Sequence, residues 1–153
     1  MAAPGVFKDR TYSDPNPLPS SVPAVDELGT TSAPLKSASF FIGQYCKPVN
    51  DDFMLCKQEN QDPAHCLKEG RKVTRCAAEL ISKLRENCLK EFDAHWQCLE
   101  NNNQYFHACR KVEKELNSCV FTKLNLTKSI PGTPEGMQQI HEKKNPLFGP
   151  LTK

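Results

Sequence analysis

"CKPVNDDFMLC", residues 46–56, places nine residues between two cysteines. The same spacing recurs three more times along the 153-residue chain, and the four stretches together contain all eight cysteines. The other three stretches are "CLKEGRKVTRC" at 66–76, "CLKEFDAHWQC" at 88–98 and "CRKVEKELNSC" at 109–119. A spacing that uses every cysteine of a short chain indicates a disulfide framework rather than isolated thiols.

The spacing has a direct geometric meaning if these stretches are helical. Ten residues advance a helix by ~15 Å, whereas the Cα atoms of a disulfide lie within ~7 Å of each other. The two cysteines of one stretch therefore cannot pair with each other, but an antiparallel helix with the same spacing can meet both of them. This arrangement favours four pairs: Cys46–Cys76, Cys56–Cys66, Cys88–Cys119 and Cys98–Cys109. Pairing between the two hairpins stays open from the sequence alone.

Apolar periodicity predicts that the inner helices of the two hairpins merge, or nearly merge, across residues 77–87. Cys66, Val73, Ala77, Leu80, Leu84 and Cys88 recur at helical spacing and form one stripe. No proline interrupts the chain between Pro63 and residue 119. The three asparagines of "ENNNQ", residues 100–104, then predict a turn. The fold class predicted is all-α, with two disulfide-locked antiparallel helical hairpins joined by a helical bridge and flanked by extended Pro-rich N- and C-terminal tails.

Proline and capping residues mark the segment boundaries. Ten of the 12 prolines lie outside residues 46–119, so both ends are predicted to be extended and to become ordered only on a partner. Helix starts are expected near Ser32, Asn50 and Pro63. The predicted segments are an N-terminal tail (1–30), a short helix (31–45), the first hairpin (46–76), the helical bridge (77–87), the second hairpin (88–119) and a C-terminal extension (120–153).

Composition narrows the class of partner. The net charge is +2, with 20 basic and 18 acidic residues, which does not indicate nucleic acid. No apolar stretch approaches the ~20 residues of a transmembrane helix, so the chain is expected to be soluble or peripheral to a membrane. Residues 1–30 carry neither a secretory signal nor an Arg-rich, acid-poor transit peptide. Disulfides without such signals are consistent with the mitochondrial intermembrane space.

Other uses of the cysteines fit less well. Zinc sites typically place cysteines two to four residues apart, and no two cysteines of this chain are that close. A mixed Cys/His site is suggested only by the histidines close to a cysteine in the sequence, which are His65, His95 and His107. Redox catalysis favours a C-x-x-C pair, which is absent from the sequence. The sequence also has no phosphate-binding loop and no nucleophile elbow. The charges of "RKVEKE", residues 110–115, are predicted to form a solvated helix face, and Trp96 is predicted to belong to the core of the second hairpin.

Paired C-x9-C helical hairpins resemble the CHCH (coiled-coil-helix-coiled-coil-helix) proteins, and two hairpins in tandem narrow the resemblance. The stretch "FMLCKQENQDPAHCLKEGRKVTRC", residues 53–76, is similar to the PGIV-type family of accessory subunits of respiratory complex I. The residues that carry the resemblance are Phe53-Met54-Leu55-Cys56, Asp62-Pro63, Cys66-Leu67, Glu69-Gly70, Val73 and Cys76.

The resemblance implies a non-catalytic accessory subunit that braces the intermembrane-space face of the membrane arm of complex I. It implies no catalytic, cofactor-binding or metal-binding residues, and the eight cysteines are expected to be purely structural. The implied partners are other complex I subunits and, during import, the disulfide relay of the intermembrane space. A soluble assembly factor or chaperone of the same fold and a metallochaperone are the alternatives.

Overall fold

The computed structural model describes residues 17–143, and these residues form an all-helical fold. Four α-helices follow one another: α1 (Ser32–Tyr45), α2 (Lys47–Glu59), α3 (Leu67–Asn101) and α4 (Arg110–Lys123). A short 3-10 helix, Phe106–Cys109, leads directly into α4. Within residues 17–143 there is no β-strand, and no helix is long and apolar enough to cross a bilayer. The predicted all-α class is confirmed. Residues 1–16 of the predicted N-terminal tail and residues 144–153 of the C-terminal extension lie outside the described range.

Both hairpins share the helix α3. It is 35 residues long, which corresponds to ~50 Å at ~1.5 Å per residue. Its first part runs antiparallel to α2 and its last part antiparallel to α4, and it passes through the predicted bridge, residues 77–87, as a regular helix. Cys88 is the one residue of α3 with non-helical backbone angles (φ −132°, ψ 36°). The bridge is therefore continuous, and the kink comes where the second hairpin begins.

Two helix starts differ from the sequence prediction. The helix α2 begins at Lys47 rather than near Asn50, because Pro48 lies in the first turn, where a missing N–H removes no helical hydrogen bond. The helix α3 begins at Leu67 rather than at Pro63. Residues 63–66 form a turn instead, in which the backbone N–H of Ala64 donates to Asp62 Oδ1 at 3.1 Å. Asp62 therefore caps a turn that precedes the helix α3, and the expected helix start near Pro63 is wrong by four residues.

The apolar core lies between α1, α3 and α4. Its fully buried large side chains are Phe41, Leu80, Leu84, Phe92 and Leu116. Of the predicted stripe, Leu80, Leu84 and Cys88 are fully buried and Val73 and Ala77 are half-buried. The helix α1 packs against α3 along this core. Trp96 packs against this core while remaining partly exposed. Burying each large apolar side chain contributes ~1.5–3 kcal/mol, so most of the hydrophobic stabilisation is concentrated here.

The first hairpin contributes little to that core. The helix α2 has no buried residue, and Met54 and Leu55 are 64% and 60% exposed. Phe53 of α2 packs over Gly70 of α3, where a Cβ added to the glycine would lie 3.5 Å from Phe53 Cε2. The first hairpin is therefore a two-helix arm that extends from the core.

Described residues on either side of the helices pack against them. The carbonyl of Ala24 accepts a hydrogen bond from Arg75 of α3 at 3.3 Å, and Val22 is buried. At the other end Lys128 and His141 are buried, although the residues around them form only turns and coil. The prediction that the C-terminal segment needs a partner to become ordered is therefore wrong for these two residues.

Candidate functional site

The structure places the eight cysteines in four pairs at disulfide distance. The S–S and Cα–Cα distances are 2.04 and 5.9 Å for Cys46–Cys76, 2.05 and 6.0 Å for Cys56–Cys66, 2.05 and 6.0 Å for Cys88–Cys119, and 2.02 and 5.9 Å for Cys98–Cys109. Each pair joins two antiparallel segments, as the helical rise requires. All eight cysteines fall within the described residues and none of them is free. In this oxidised form the sulfur atoms offer no thiolate to a metal or a substrate.

Each hairpin carries one disulfide at each end. We call Cys56–Cys66 and Cys98–Cys109 the loop disulfides, because they lie beside the turn between the two helices of a hairpin. We call Cys46–Cys76 and Cys88–Cys119 the open-end disulfides. A native disulfide stabilises a small domain by ~2–4 kcal/mol, so two of them can hold an arm as thinly packed as the first hairpin.

The three histidines noted in the sequence lie in different surroundings. His95 is fully buried, and its Nδ1 lies 2.7 Å from the hydroxyl oxygen of Ser37 on α1. His107 is exposed and stacks near Tyr105, with ring centroids 5.4 Å apart. Only His65 lies with cysteines: its ring nitrogen and the sulfurs of Cys56 and Cys66 are all within 4.8 Å of one another. No second group of this kind occurs in residues 17–143.

A buried cluster of charged side chains joins the C-terminal segment to α4. The carboxylate of Glu113 accepts one hydrogen bond from Lys128 at 2.6 Å and another from Arg110. Lys128 also donates to Asn117 Oδ1 at 3.3 Å. The side chains of Glu113 and Lys128 are each only 1% exposed. The prediction that residues 110–115 form a solvated face is therefore wrong for Glu113.

The sequence does contain a signal for the burial of Glu113. Cys109, Glu113, Leu116 and Val120 recur at steps of four, three and four, and all four are buried. A carboxylate in an apolar stripe predicts a buried partner, because a buried charge without one is strongly destabilising. The partner itself, Lys128, lies in a non-helical segment and has no periodic signal.

Burial and charge act against each other in this cluster. Burial alone would raise the pKa of Glu113, but the charges and hydrogen bonds of Lys128 and Arg110 outweigh it and lower that pKa. Burial lowers the pKa of Lys128, and the Glu113 carboxylate partly offsets this effect. Lys128 also lies 5.1 Å from the ring centroid of Phe40 and 5.3 Å from that of Phe41, which are favourable cation–π distances. Lys128 therefore fastens the C-terminal segment to α1 as well as to α4.

Two histidines flank the cluster and are held in the neutral form. Burial lowers the pKa of His95 to about 4, and the charges of Lys128 and Arg110 add to this effect against that of Glu113. Burial, together with Lys128, also lowers the pKa of His141. Protonation of either ring would place a further positive charge next to a buried lysine. The charged cluster and the two neutral histidines are therefore suited to holding α1, α3, α4 and the C-terminal segment in a fixed geometry.

The fold and the cysteine pairs define a class: the chain is a tandem helical-hairpin protein of the twin C-x9-C type. No protein-family model matches it. Among curated proteins it is 49% identical to the NADH-ubiquinone oxidoreductase 20.8 kDa subunit of Neurospora crassa over 144 residues, which cover 93% of this chain and 79% of that protein. It is also 39% and 38% identical to the NADH dehydrogenase [ubiquinone] 1 alpha subcomplex subunits 8-A and 8-B of Arabidopsis thaliana. Each of these two matches covers 60% of this chain, and they cover 87% and 89% of the plant proteins.

The chain therefore belongs to this family of subunits of NADH:ubiquinone oxidoreductase, respiratory complex I. The expected relationship to complex I is confirmed. The match to the Neurospora crassa protein extends over 93% of the chain, so it necessarily includes both hairpins and most of the residues on either side of them.

Proposed function

We propose that this chain is a non-catalytic accessory subunit of mitochondrial complex I that braces its neighbours on the intermembrane-space face of the inner membrane. The observation that carries the proposal is the 49% identity to a named subunit of the enzyme over nearly the whole chain. An assembly factor or chaperone would not require such a relationship. The chain contributes shape, and hydride and electron transfer belong to other subunits.

The long helix α3 supports a mechanical function. A continuous helix fixes the distance between two attached groups by ~1.5 Å per residue and their relative rotation by ~100° per residue. Because the bridge, residues 77–87, is a regular helix, it fixes the spacing of the two hairpins, and the kink at Cys88 sets the angle at which the second hairpin leaves it. The helix α1 packs along the bridge and buries Leu80 and Leu84, which stiffens it. Such a body can hold two partner surfaces at a fixed separation.

The exposed face of α2 is the proposed contact with another subunit. Met54 and Leu55 are the two most exposed large apolar side chains of this helix, and Asp51, Lys57 and Gln58 surround Met54. A small apolar patch with a charged and polar rim is typical of a protein–protein contact. The proposed occupant is a complex I subunit with a matching apolar surface, since the relatives of this chain are named as subunits of that enzyme.

The disulfides support the proposed compartment. Structural disulfides persist in oxidising surroundings and are rare in a reducing cytosol. The intermembrane space provides such surroundings, and oxidation there by the disulfide relay would trap the imported chain. The absence of a membrane-crossing helix from residues 17–143 is compatible with peripheral attachment.

Cross-linking mass spectrometry on intact mitochondria tests this proposal. The expected result is cross-links from lysines of α2, such as Lys57, to complex I subunits, and retention of the chain with the enzyme after detergent extraction and a salt wash. Loss of the chain from the enzyme on washing, with cross-links only to import or assembly proteins, would contradict the subunit function. Accessibility of the chain to a protease after selective rupture of the outer membrane tests the side of the membrane.

A further inference from the structure

The loop of the first hairpin brings a histidine onto a cysteine pair. The ligand atoms of Cys56, His65 and Cys66 all lie within 4.8 Å of one another. Glu69, one turn into α3 from Cys66, places its Oε2 atom 4.0 Å from Cys56 Sγ. Two sulfurs, one imidazole and one carboxylate are a donor set that zinc accepts in a tetrahedral site. In the oxidised chain, however, the two sulfurs are bonded to each other.

We propose that this loop binds one Zn²⁺ ion while Cys56 and Cys66 are reduced, and that closing the disulfide releases the ion. Two thiolates that share one Zn²⁺ at ~2.3 Å each stand ~3.8 Å apart in a tetrahedral site. The Cα atoms of Cys56 and Cys66 are 6.0 Å apart, which suits such a pair without a large movement of the backbone. His65 supplies the third ligand, and Glu69 or a water molecule supplies the fourth. Thiolate and imidazole together favour zinc over the hard cations Mg²⁺ and Ca²⁺.

The release step is a balanced thiol–disulfide exchange. Binding of Zn²⁺ displaces two protons from the thiols of Cys56 and Cys66. In the exchange the two thiolates transfer two electrons to the disulfide of an oxidoreductase, and a sulfur–sulfur bond forms between them. The acceptor disulfide takes up two protons from water and leaves as a dithiol. Zinc leaves as Zn²⁺ without changing its oxidation state, because the oxidised pair no longer provides thiolates.

The second hairpin provides a natural comparison within the same chain. Its loop disulfide, Cys98–Cys109, closes a segment of nearly the same length, with sequence separations of 11 and 10 residues in the two hairpins. There the side-chain amide of Asn102, and not a histidine, lies beside the sulfurs, at 3.7 Å from Cys98 and 3.9 Å from Cys109. The NH₂ group of a side-chain amide donates hydrogen bonds, and its nitrogen does not serve as a metal ligand.

Helix position does not distinguish the two loops. Cys66 precedes the first residue of α3, and Cys109 precedes the first residue of α4. A helix N-terminus favours a thiolate in both cases. The difference that decides the proposal is therefore His65. The inference goes beyond the proposed subunit function, because it concerns the reduced chain before the hairpins close.

Metal titration of the reduced full-length chain tests the ligand set. The chain is reduced with a phosphine under nitrogen and titrated with Co²⁺, whose visible spectrum reports tetrahedral thiolate coordination, and the Co²⁺ is then displaced with Zn²⁺. His65→Ala is expected to weaken binding by about tenfold or more, as the loss of a direct ligand should. His107→Ala, beside the second loop, is the matched control and is expected to bind as the unmodified chain does. Equal affinity in the two variants would overturn the proposal, as would binding by the fully oxidised chain.

The order of oxidation gives a second test that does not depend on how much helix the reduced chain retains. The reduced chain is oxidised with a small-molecule disulfide, with and without Zn²⁺, and each cysteine pair is followed by non-reducing peptide mapping. Zinc is expected to slow formation of Cys56–Cys66 by about tenfold and to leave Cys98–Cys109 unchanged. His65→Ala should remove this difference. Equal slowing of both loop disulfides by zinc, or no slowing of either, would contradict the proposal.

Discussion

The two hairpins have the same cysteine spacing, and each has one disulfide at either end. They differ in how many apolar side chains they bury between those disulfides. In the first hairpin α2 buries no residue and presents Met54 and Leu55 to solvent. In the second hairpin Phe92 and Leu116 are fully buried, and α1 covers the bridge beside them. A disulfide framework therefore specifies the hairpin, whereas the apolar content specifies which hairpin has a core. The first hairpin depends on its covalent links, and the second depends on packing as well.

Truncation of one large apolar side chain in each hairpin should reveal the largest difference between the two in the free energy of unfolding. Phe92→Ala is expected to lower the free energy of unfolding by ~3–5 kcal/mol, because it leaves a cavity in the core around α3. Met54→Ala, the matched change in the first hairpin, removes an exposed side chain and is expected to stay within ~0.5 kcal/mol. Urea unfolding of the oxidised variants, followed by circular dichroism, measures both values. Similar losses in the two variants would mean that the first hairpin has a packed core.

Removal of a charged side chain should also cost more free energy of unfolding in the second hairpin than in the first. Glu113→Ala leaves Lys128 and Arg110 without their carboxylate in a buried position and is expected to cost about 3 kcal/mol or more. Asp52→Ala in the first hairpin removes an ion pair with Lys72 whose two side chains are more than half exposed. Such pairs contribute ~0–1 kcal/mol. The same unfolding measurement applies, and a Glu113→Ala variant as stable as Asp52→Ala would show that the buried cluster does not hold the C-terminal segment.

Some of this difference was predictable from the sequence and some was not. The cysteine spacing predicts two antiparallel hairpins because helical rise excludes pairing within a stretch, and the stripe through Leu80 and Leu84 predicts the shared helix. The burial of Glu113 is indicated by its place in an apolar stripe of α4. That signal is easily overlooked, because the residues next to Glu113 in the sequence are mostly charged. The burial of Lys128 has no such signal, because it depends on a tertiary contact between coil and α4. The non-helical turn at 63–66 was missed because proline and aspartate are typical of a helix start and of a turn alike.

A proline in the bridge should separate the two hairpins mechanically. Ser82 is exposed in the middle of the bridge, so Ser82→Pro breaks the helix without removing a core side chain. The expected cost is ~3 kcal/mol, from a lost hydrogen bond and a steric clash with the preceding turn. All four disulfides are expected to form, whereas incorporation into complex I is expected to fail because the hairpins are held at the wrong angle. Native gel electrophoresis with Ser82→Ala as the control measures this, and normal assembly of the proline variant would rule out a rigid brace.

Acid should destabilise the chain through the second hairpin. The pKa of His95 is lowered from 6.5 to about 4 by burial, so the unfolded chain binds a proton that the folded chain excludes between these two values. The contribution of His95 is complete above pH 6.5 and is lost as the pH falls towards 4. Between pH 7 and pH 5 the expected loss is about 2 kcal/mol. Unfolding at several pH values should show this loss in full in the unmodified chain and in His65→Gln, a control in the first hairpin, and a smaller loss in His95→Gln, in which the lowered pKa of His141 still contributes. An identical pH dependence in the two variants would contradict the assignment to His95.

The most direct test of the difference between the hairpins is hydrogen exchange of α2 and α4 in the same full-length chain before and after reduction of the disulfides. In the oxidised chain both helices are expected to be protected, since both are clamped at their two ends. After reduction in the presence of a metal chelator, α2 is expected to exchange at close to the rate of an unfolded chain, because it buries no residue. The helix α4 is expected to remain measurably protected through Leu116, Val120 and the Glu113 cluster. Loss of protection in both helices to the same extent would contradict the account, because it would show that the second hairpin, too, is held together by its disulfides alone.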